Sequence, residues 1–175
     1  MRRFSWILIC VVGVVQAEVL EVSPSGFVSE HKLVLATTPG QAFTALTKDV
    51  ALWWDAGHSY GGKASAFSMQ LSEGGCFCEV LAGGGFVEHM RVVHVRHGRQ
   101  ITLQGGLGPL QSMGVAGSMV FSLDPQGQQT LLTYRYTVGG FSSGALQNLA
   151  EPVDRVQLGQ LRRLQQYVAT GEPLN

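Results

Sequence analysis

A switch of hydrophobic period near residue 150 constrains this chain more than any other feature. From residue 26 to residue 138 the apolar residues alternate in short runs, separated by glycine-rich or Asp-Pro-Gln-Gly turns. Alternation with period two puts every second side chain on one face of a strand. From Glu151-Pro152 onward the apolar positions become Val153, Val156, Leu161, Leu164, Tyr167 and Val168, which fall within about 140° at the helical 100° per residue. Strands with one apolar face, followed by a single amphipathic helix, must bury those faces against each other. The expectation is an α+β fold: a strongly curved antiparallel sheet wrapped around a long C-terminal helix. Such a sheet does not close tightly over a helix, so a cavity between them is expected.

The first strand is expected over residues 26–35, where Phe27, Ser29, His31, Leu33 and Leu35 share a face. Thr38 suits a helix cap and Pro39 a first helical position, which predicts a helix over residues 39–47. A second short helical turn is expected over 49–54. Strands follow over residues 65–71, 76–81, 86–95, 100–104, 118–123 and 130–138. Gly83-Gly84 marks a hairpin and Asp124 to Gly127 a turn. Residues 105–114 read as a glycine-rich excursion. Pro152 is expected to separate a short helical turn over 143–150 from the long helix, which Thr170-Gly171 and Pro173 stop. No repeat or Pro/Ser-rich linker breaks residues 26–171, which read as one domain with a lead-in over 18–25 and a tail over 172–175.

Met1-Arg2-Arg3 precedes an almost wholly apolar stretch over residues 4–15, and Val15 and Ala17 stand at −3 and −1 of a cut before Glu18. That is a signal-peptide pattern, and an apolar run of about 12 residues is shorter than the roughly 20 of a spanning helix. The mature chain is therefore expected to begin at Glu18, to be periplasmic or secreted, and to carry no integral membrane span. The alternative is a tether by an uncleaved N-terminal segment. Ile9 is too bulky to precede a lipid-modified Cys10.

Charge narrows the partners. Lys and Arg number 12 against 12 Asp and Glu, and charged residues are only 14%, below the roughly 25% of an average soluble protein. Loss of Arg2 and Arg3 with the leader leaves a net charge of −2. No basic stripe remains for a nucleic-acid backbone, so nucleic acid is excluded as a partner. The 23 glycines follow no three-residue period, which excludes a collagen-like chain.

Several residues could carry chemistry. Trp53 and Trp54 are adjacent, point about 100° apart on a helix, and cannot both sit squarely in a core. One indole is a candidate rim of the cavity, and His58 in the following loop a candidate mouth residue. Glu79 lies in an otherwise apolar strand. A hairpin centred on Gly84 puts it opposite His89, whereas a Gly83-Gly84 turn puts Cys78 there instead. Facing into the cavity, Glu79 and His89 would make a proton-transfer pair, with the carboxylate raising the imidazole pKa. The favoured alternative is a cross-strand ion pair on the solvent face, worth little. Gln157 and Gln160 fall inside the helical apolar stripe, where they need partners such as Tyr134, Tyr136 or the polar end of a ligand. Cys76 and Cys78 read as two small buried hydrophobes in preference to a strained bridge, because two-residue strand spacing of about 6.5–7 Å is at the limit of disulfide reach. A metal site from His58, Glu79, His89 and a cysteine lacks ligand spacing, and no cofactor motif is present.

The stretches Trp53-Trp54-Asp55-Ala56-Gly57-His58, Gly74-Gly75-Cys76-Phe77-Cys78-Glu79, Val87-Glu88-His89-Met90, Leu107-Gly108-Pro109-Leu110, Ala150-Glu151-Pro152-Val153-Asp154 and Gln160-Leu161-Arg162-Arg163-Leu164 resemble START-like (SRPBCC) proteins over residues 28–171. Within that superfamily the chain looks like the branch labelled activator of heat-shock ATPase homologue-like, near the polyketide cyclases. The resemblance implies the helix-grip fold and a hydrophobic ligand cavity. The branch label implies a cytosolic co-chaperone, which the leader contradicts. Fold alone names no activity. Three functions follow in order: an exported module binding a small apolar or amphipathic molecule whose polar end Gln157, Gln160 and Tyr134 hold, a cyclase- or dehydratase-type enzyme using Glu79 and His89, and a ligand-free protein-interaction module.

Overall fold

The alternating runs form strands and the 3.6-period segment forms one helix, in a computed structural model that describes residues 16–142 and 146–174. Strand β1 (Gln16–Ser23) and strand β2 (Gly26–Leu35) form a hairpin, followed by helices α1 (Pro39–Thr47) and α2 (Val50–Trp53). Six strands come next: β3 (Phe67–Met69), β4 (Cys76–Val80), β5 (Phe86–Arg96), β6 (Gln100–Gln104), β7 (Val115–Gln126) and β8 (Gln129–Gly140). Helix α3 (Gln147–Thr170) follows β8. Every neighbouring strand pair is antiparallel, in the order β1-β2-β8-β7-β6-β5-β4-β3. With α3 across the sheet, this is the α+β helix-grip fold.

Local chemistry explains the helix ends. Thr38 is extended at the N-cap of α1, Pro39 follows, and Gln41 Oε1 accepts from the Thr38 N–H and hydroxyl. Gly171 closes α3 at φ +83°, donating its N–H to the Tyr167 carbonyl at 2.8 Å. That left-handed backbone strains any residue with a Cβ.

Four boundaries differ from the sequence reading. Residues 18–25, expected as a lead-in, hold most of β1, whose register with β2 runs from Gln16↔Lys32 to Ser23↔Gly26. The leader expected over residues 1–17 lies outside the described residues up to residue 15. The β7–β8 ladder continues through Asp124 and Pro125 to Gln126↔Gln129, which moves the turn to Gly127-Gln128. Strand β3 is only three residues long. Pro152 does not divide the C-terminal helix: α3 already runs from Gln147. Proline there removes one bond, the one its N–H would donate to the Asn148 carbonyl. Leu146 and Ala150 are almost fully buried, and their packing holds the first turn against that loss. Residues 143–145 lie outside the described set.

The core fills the concave side. Leu33, Leu35, Ile101, Leu103, Leu123 and Leu132 from the sheet meet Leu46, Trp53, Leu161 and Leu164 from the helices. No helix among the described residues is long and apolar enough to cross a membrane.

Candidate functional site

Between the N-terminal half of α3 and the far end of the sheet the concave side is not filled. A cavity of about 380 Å³ is lined by Trp54, His58, Ser59, Tyr60, His89, Leu107, Gly108, Pro109, Leu149, Pro152, Val153, Val156 and Gln157. Its walls come from four places: the loop after α2, His89 of β5, the excursion after β6, and one face of α3.

Trp53 and Trp54 divide as adjacent helical residues must. Trp53 is buried and donates its indole N–H to the Ala45 carbonyl at 2.8 Å, so it is a core plug outside the cavity. Trp54 lines the cavity, donates to the His58 carbonyl at 3.2 Å, and packs on Phe67 and Phe77 with ring centres 5.5 and 4.9 Å away. His58 stands at the mouth, its Nδ1 2.9 Å from Asp55 Oδ2, with both side chains well exposed. Tyr60 spans the mouth, its hydroxyl 3.3 Å from the Gly108 carbonyl.

Glu79 and His89 are adjacent and buried, not a surface ion pair. Glu79 is 0% exposed and His89 5%, and His89 Nε2 lies 3.1 Å from Glu79 Oε2. Neither expected register holds along the whole hairpin. Phe77↔Met90 follows the Gly83-Gly84 register, but Cys78 then pairs with Glu88 and Glu79 with Val87. His89 is the extra residue of a β-bulge. Consecutive residues of a regular strand face opposite ways, whereas His89 and Met90 are both buried; a bulge re-aims a side chain in this manner.

The rest of the pair's surroundings fix its roles. Glu79 Oε2 also accepts the Tyr60 N–H at 3.0 Å, and Oε1 accepts the Gly61 N–H at 2.6 Å. A Cβ at Gly61 would stand 3.1 Å from Oε1, so glycine allows the loop its close approach. With three N–H groups converging on one carboxylate, Nε2 of His89 is the donor. Its Nδ1 has no hydrogen-bond partner among the described residues, and the residue lines the cavity. Burial pulls the His89 pKa below the ordinary histidine value, and the Glu79 contact only partly offsets this. The sequence reading expected the opposite direction because it weighed the carboxylate without the burial. Neutral imidazole is the favoured form.

Gln157 and Gln160 part company. Gln157 lines the cavity and its amide has no partner among the described residues. Gln160 accepts the Asp55 N–H at 3.0 Å and is structural. Tyr134 is fully buried, does not reach the cavity, and its hydroxyl has no partner within the described residues. Tyr136 works on the cavity wall indirectly: its hydroxyl donates to the Gly105 carbonyl and accepts from the Leu107 N–H, at 3.2 and 3.3 Å. Burial pushes its pKa up to about 12. Its ring crosses Gly117, where a Cβ would lie 2.5 Å away.

A second polar cluster escaped the sequence reading. Asp154 of α3 accepts from the Ser29 hydroxyl and from His31 Nε2, the latter at 2.9 Å. All three are buried between β2 and α3. The Ser29 hydroxyl donates to Asp154, so the histidine does not activate it as a nucleophile; the trio pins α3 to the sheet. His31 stacks on Tyr134 at 5.8 Å, and its Nδ1 has no partner among the described residues. The signal was present: Ser29 and His31 alternate with Phe27 and Leu33, and Asp154 lies three residues before Gln157 on the stripe.

Cys76 and Cys78 form a disulfide, contrary to the expectation of two free thiols. Their Cα atoms are 5.4 Å apart, within disulfide reach, because β4 is contracted beside the bulge. Among the described residues no group of three His, Cys, Asp or Glu side chains is set to hold a metal ion.

No protein-family model and no curated protein matches the sequence. Solved structures do. A conserved protein of unknown function from Enterococcus faecalis superposes with a TM-score of 0.62 at 13% identity, over 91% of this chain and 80% of that one. DynU16, from the dynemicin biosynthetic locus, gives 0.59 at 17% identity, over 83% of this chain and 48% of its own. CalU16 from Micromonospora echinospora gives 0.53 at 11%, over 90% and 85%. At these identities the likeness is one of fold alone.

Proposed function

We propose that this domain binds a small, largely apolar molecule beneath α3, with the molecule's polar end at His89 and Gln157. The observation that carries this reading is the cavity of about 380 Å³, within the usual range of small-molecule sites. Its wall is mostly apolar, and His89 and Gln157 bring polar atoms without protein partners. A neutral His89 offers an acceptor at Nδ1, and the Gln157 amide offers a donor and an acceptor. The test is titration of an amphipathic fluorescent fatty acid or a polyaromatic probe into wild type, His89→Ala and Gln157→Leu. Saturable binding weakened about fivefold or more by either change supports the reading, at about 1 kcal/mol per hydrogen bond. No saturable binding to wild type removes it and favours an interaction module.

A second reading is proton transfer of the cyclase or dehydratase type. The buried carboxylate-backed imidazole favours it: Nδ1 would take a proton from the bound molecule while Glu79 steadies the resulting imidazolium. Turnover of a ligand extracted from the native protein, lost in His89→Gln with binding retained, would establish it.

We also infer export. The basic-apolar-small pattern of residues 1–17 supports it, and so does a disulfide, which persists in oxidising compartments. Intact-mass analysis of protein from the cell envelope should give a chain beginning at Glu18; retention of Met1 would favour the tether.

A further inference from the structure

We propose that the Cys76–Cys78 disulfide positions His89, so that the redox state of the bridge sets the geometry of the cavity's polar end. This rests on the reading of His89 as that polar end. In a regular strand residues two apart are separated by about 6.4–6.8 Å; Cys76 and Cys78 are drawn to 5.4 Å. Drawing together two side chains on one face thrusts the residue between them toward the other. That residue is Phe77, and its ring packs 5.3 Å from the His89 imidazole and 4.9 Å from Trp54 on the cavity wall.

The register points to the same place. The ladder between β4 and β5 shifts between Phe77 and Cys78, inside the span of the bridge, and the residue displaced from the ladder is His89. A regular ladder continued from Cys76↔Arg91 would pair His89 with Cys78, on the face away from Glu79. A regular ladder continued from Glu79↔Val87 would pair it with Phe77 and turn Met90 out of the core. The bulge reconciles the two ends, and the bridge clamps the strand opposite it. Strand β4 is second from the sheet edge, next to the three-residue β3, where local opening lets a reductant reach a buried bridge.

The redox step is ordinary thiol exchange. A dithiol such as dithiothreitol supplies two electrons and two protons, the Sγ–Sγ bond breaks, two thiols form, and the reductant leaves as its own disulfide. Glu79 and Tyr60 are the titratable groups facing His89, the Phe67 and Phe77 rings packing beside them, and none of these changes covalently.

The experiment follows the histidine ring signals of the whole chain by NMR against pH, in the oxidised protein, the reduced protein and the Cys76→Ala/Cys78→Ala variant, with probe binding measured in parallel. Far-ultraviolet circular dichroism should stay native in all three. On reduction the His89 midpoint should rise toward the ordinary value as the imidazole gains solvent. Probe affinity should fall severalfold, and the double Ala variant should match the reduced protein. His89 signals and affinity unchanged in both forms would overturn the proposal. So would loss of the fold in both, which makes the bridge a global staple. If His89→Ala leaves probe binding intact while the ring signals still respond to reduction, the binding reading fails and the positioning role stands.

Discussion

Glu79 is the residue on which three donors depend, so its removal is costly in a way its own packing does not predict. Truncation to Ala strands the buried His89 Nε2–H and takes the acceptor from the Tyr60 and Gly61 N–H groups of the exposed loop. Each unsatisfied buried group costs about 1–3 kcal/mol, and water entering the space left by the side chain recovers part. Urea unfolding of Glu79→Ala should show a loss of about 3–4 kcal/mol. The two tryptophans separate stability from binding. Trp53→Ala should cost about 3–5 kcal/mol as a core truncation, whereas Trp54→Ala should cost less and abolish most probe affinity; equal losses of stability would deny the division. Acid acts through two histidines, since burial lowers the pKa of both His31 and His89 from 6.5. Between each lowered value and 6.5 the unfolded chain binds more protons than the folded one. Stability should hold above about pH 6.5 and fall as pH drops through the folded-state values. Urea midpoints measured from pH 7.5 to 5 check this, and His31→Gln should flatten the slope. The sequence alone hid the direction for His89, because a carboxylate neighbour is readable by spacing and burial is not.

At the scale of elements, what can be read from sequence follows the strength of the periodic signal. The long alternations of β2, β5, β7 and β8 and the stripe of α3 were legible. Strand β1 was not: its turn to β2 is Pro24-Ser25, without the Gly, Asn or Asp signature of a hairpin, and its Leu20 and Val22 are exposed. The bulge at His89 was invisible for a physical reason: it arises from matching two strand ends that want different registers. Gln157 and Gln160 share the α3 stripe, and only the tertiary setting tells them apart. The structure separates them. Gln160→Leu removes the acceptor of the Asp55 N–H and should destabilise by about 1–2 kcal/mol. Gln157→Leu adds apolar surface to a cavity wall and should be neutral or slightly stabilising. Thermal melts of the two single variants decide it.

For the whole molecule, the fold was legible because apolar faces on a sheet and a helix admit few ways of mutual burial. The site was legible only in its residue types, since Trp54 and His58, His89, and Gln157 converge on the cavity from three separate segments. That convergence makes a prediction independent of any one side chain. The cavity is built from the N-terminal half of α3, the loop after α2, the excursion after β6 and His89 of β5, which face one another across it. A ligand that fills it ties these segments together and binds only the folded state. Mass action then stabilises the fold by about 2.7 kcal/mol at a hundredfold excess over Kd. For a chain of this size each kcal/mol raises Tm by roughly 2–4 °C, so a saturating apolar probe should raise it by roughly 5–10 °C. The rise should grow with the logarithm of probe concentration, and His89→Ala should displace the curve to higher concentration without changing its slope. A Tm that ignores probe concentration would mean that the cavity is not a binding site for such molecules, and that these segments meet a protein partner instead.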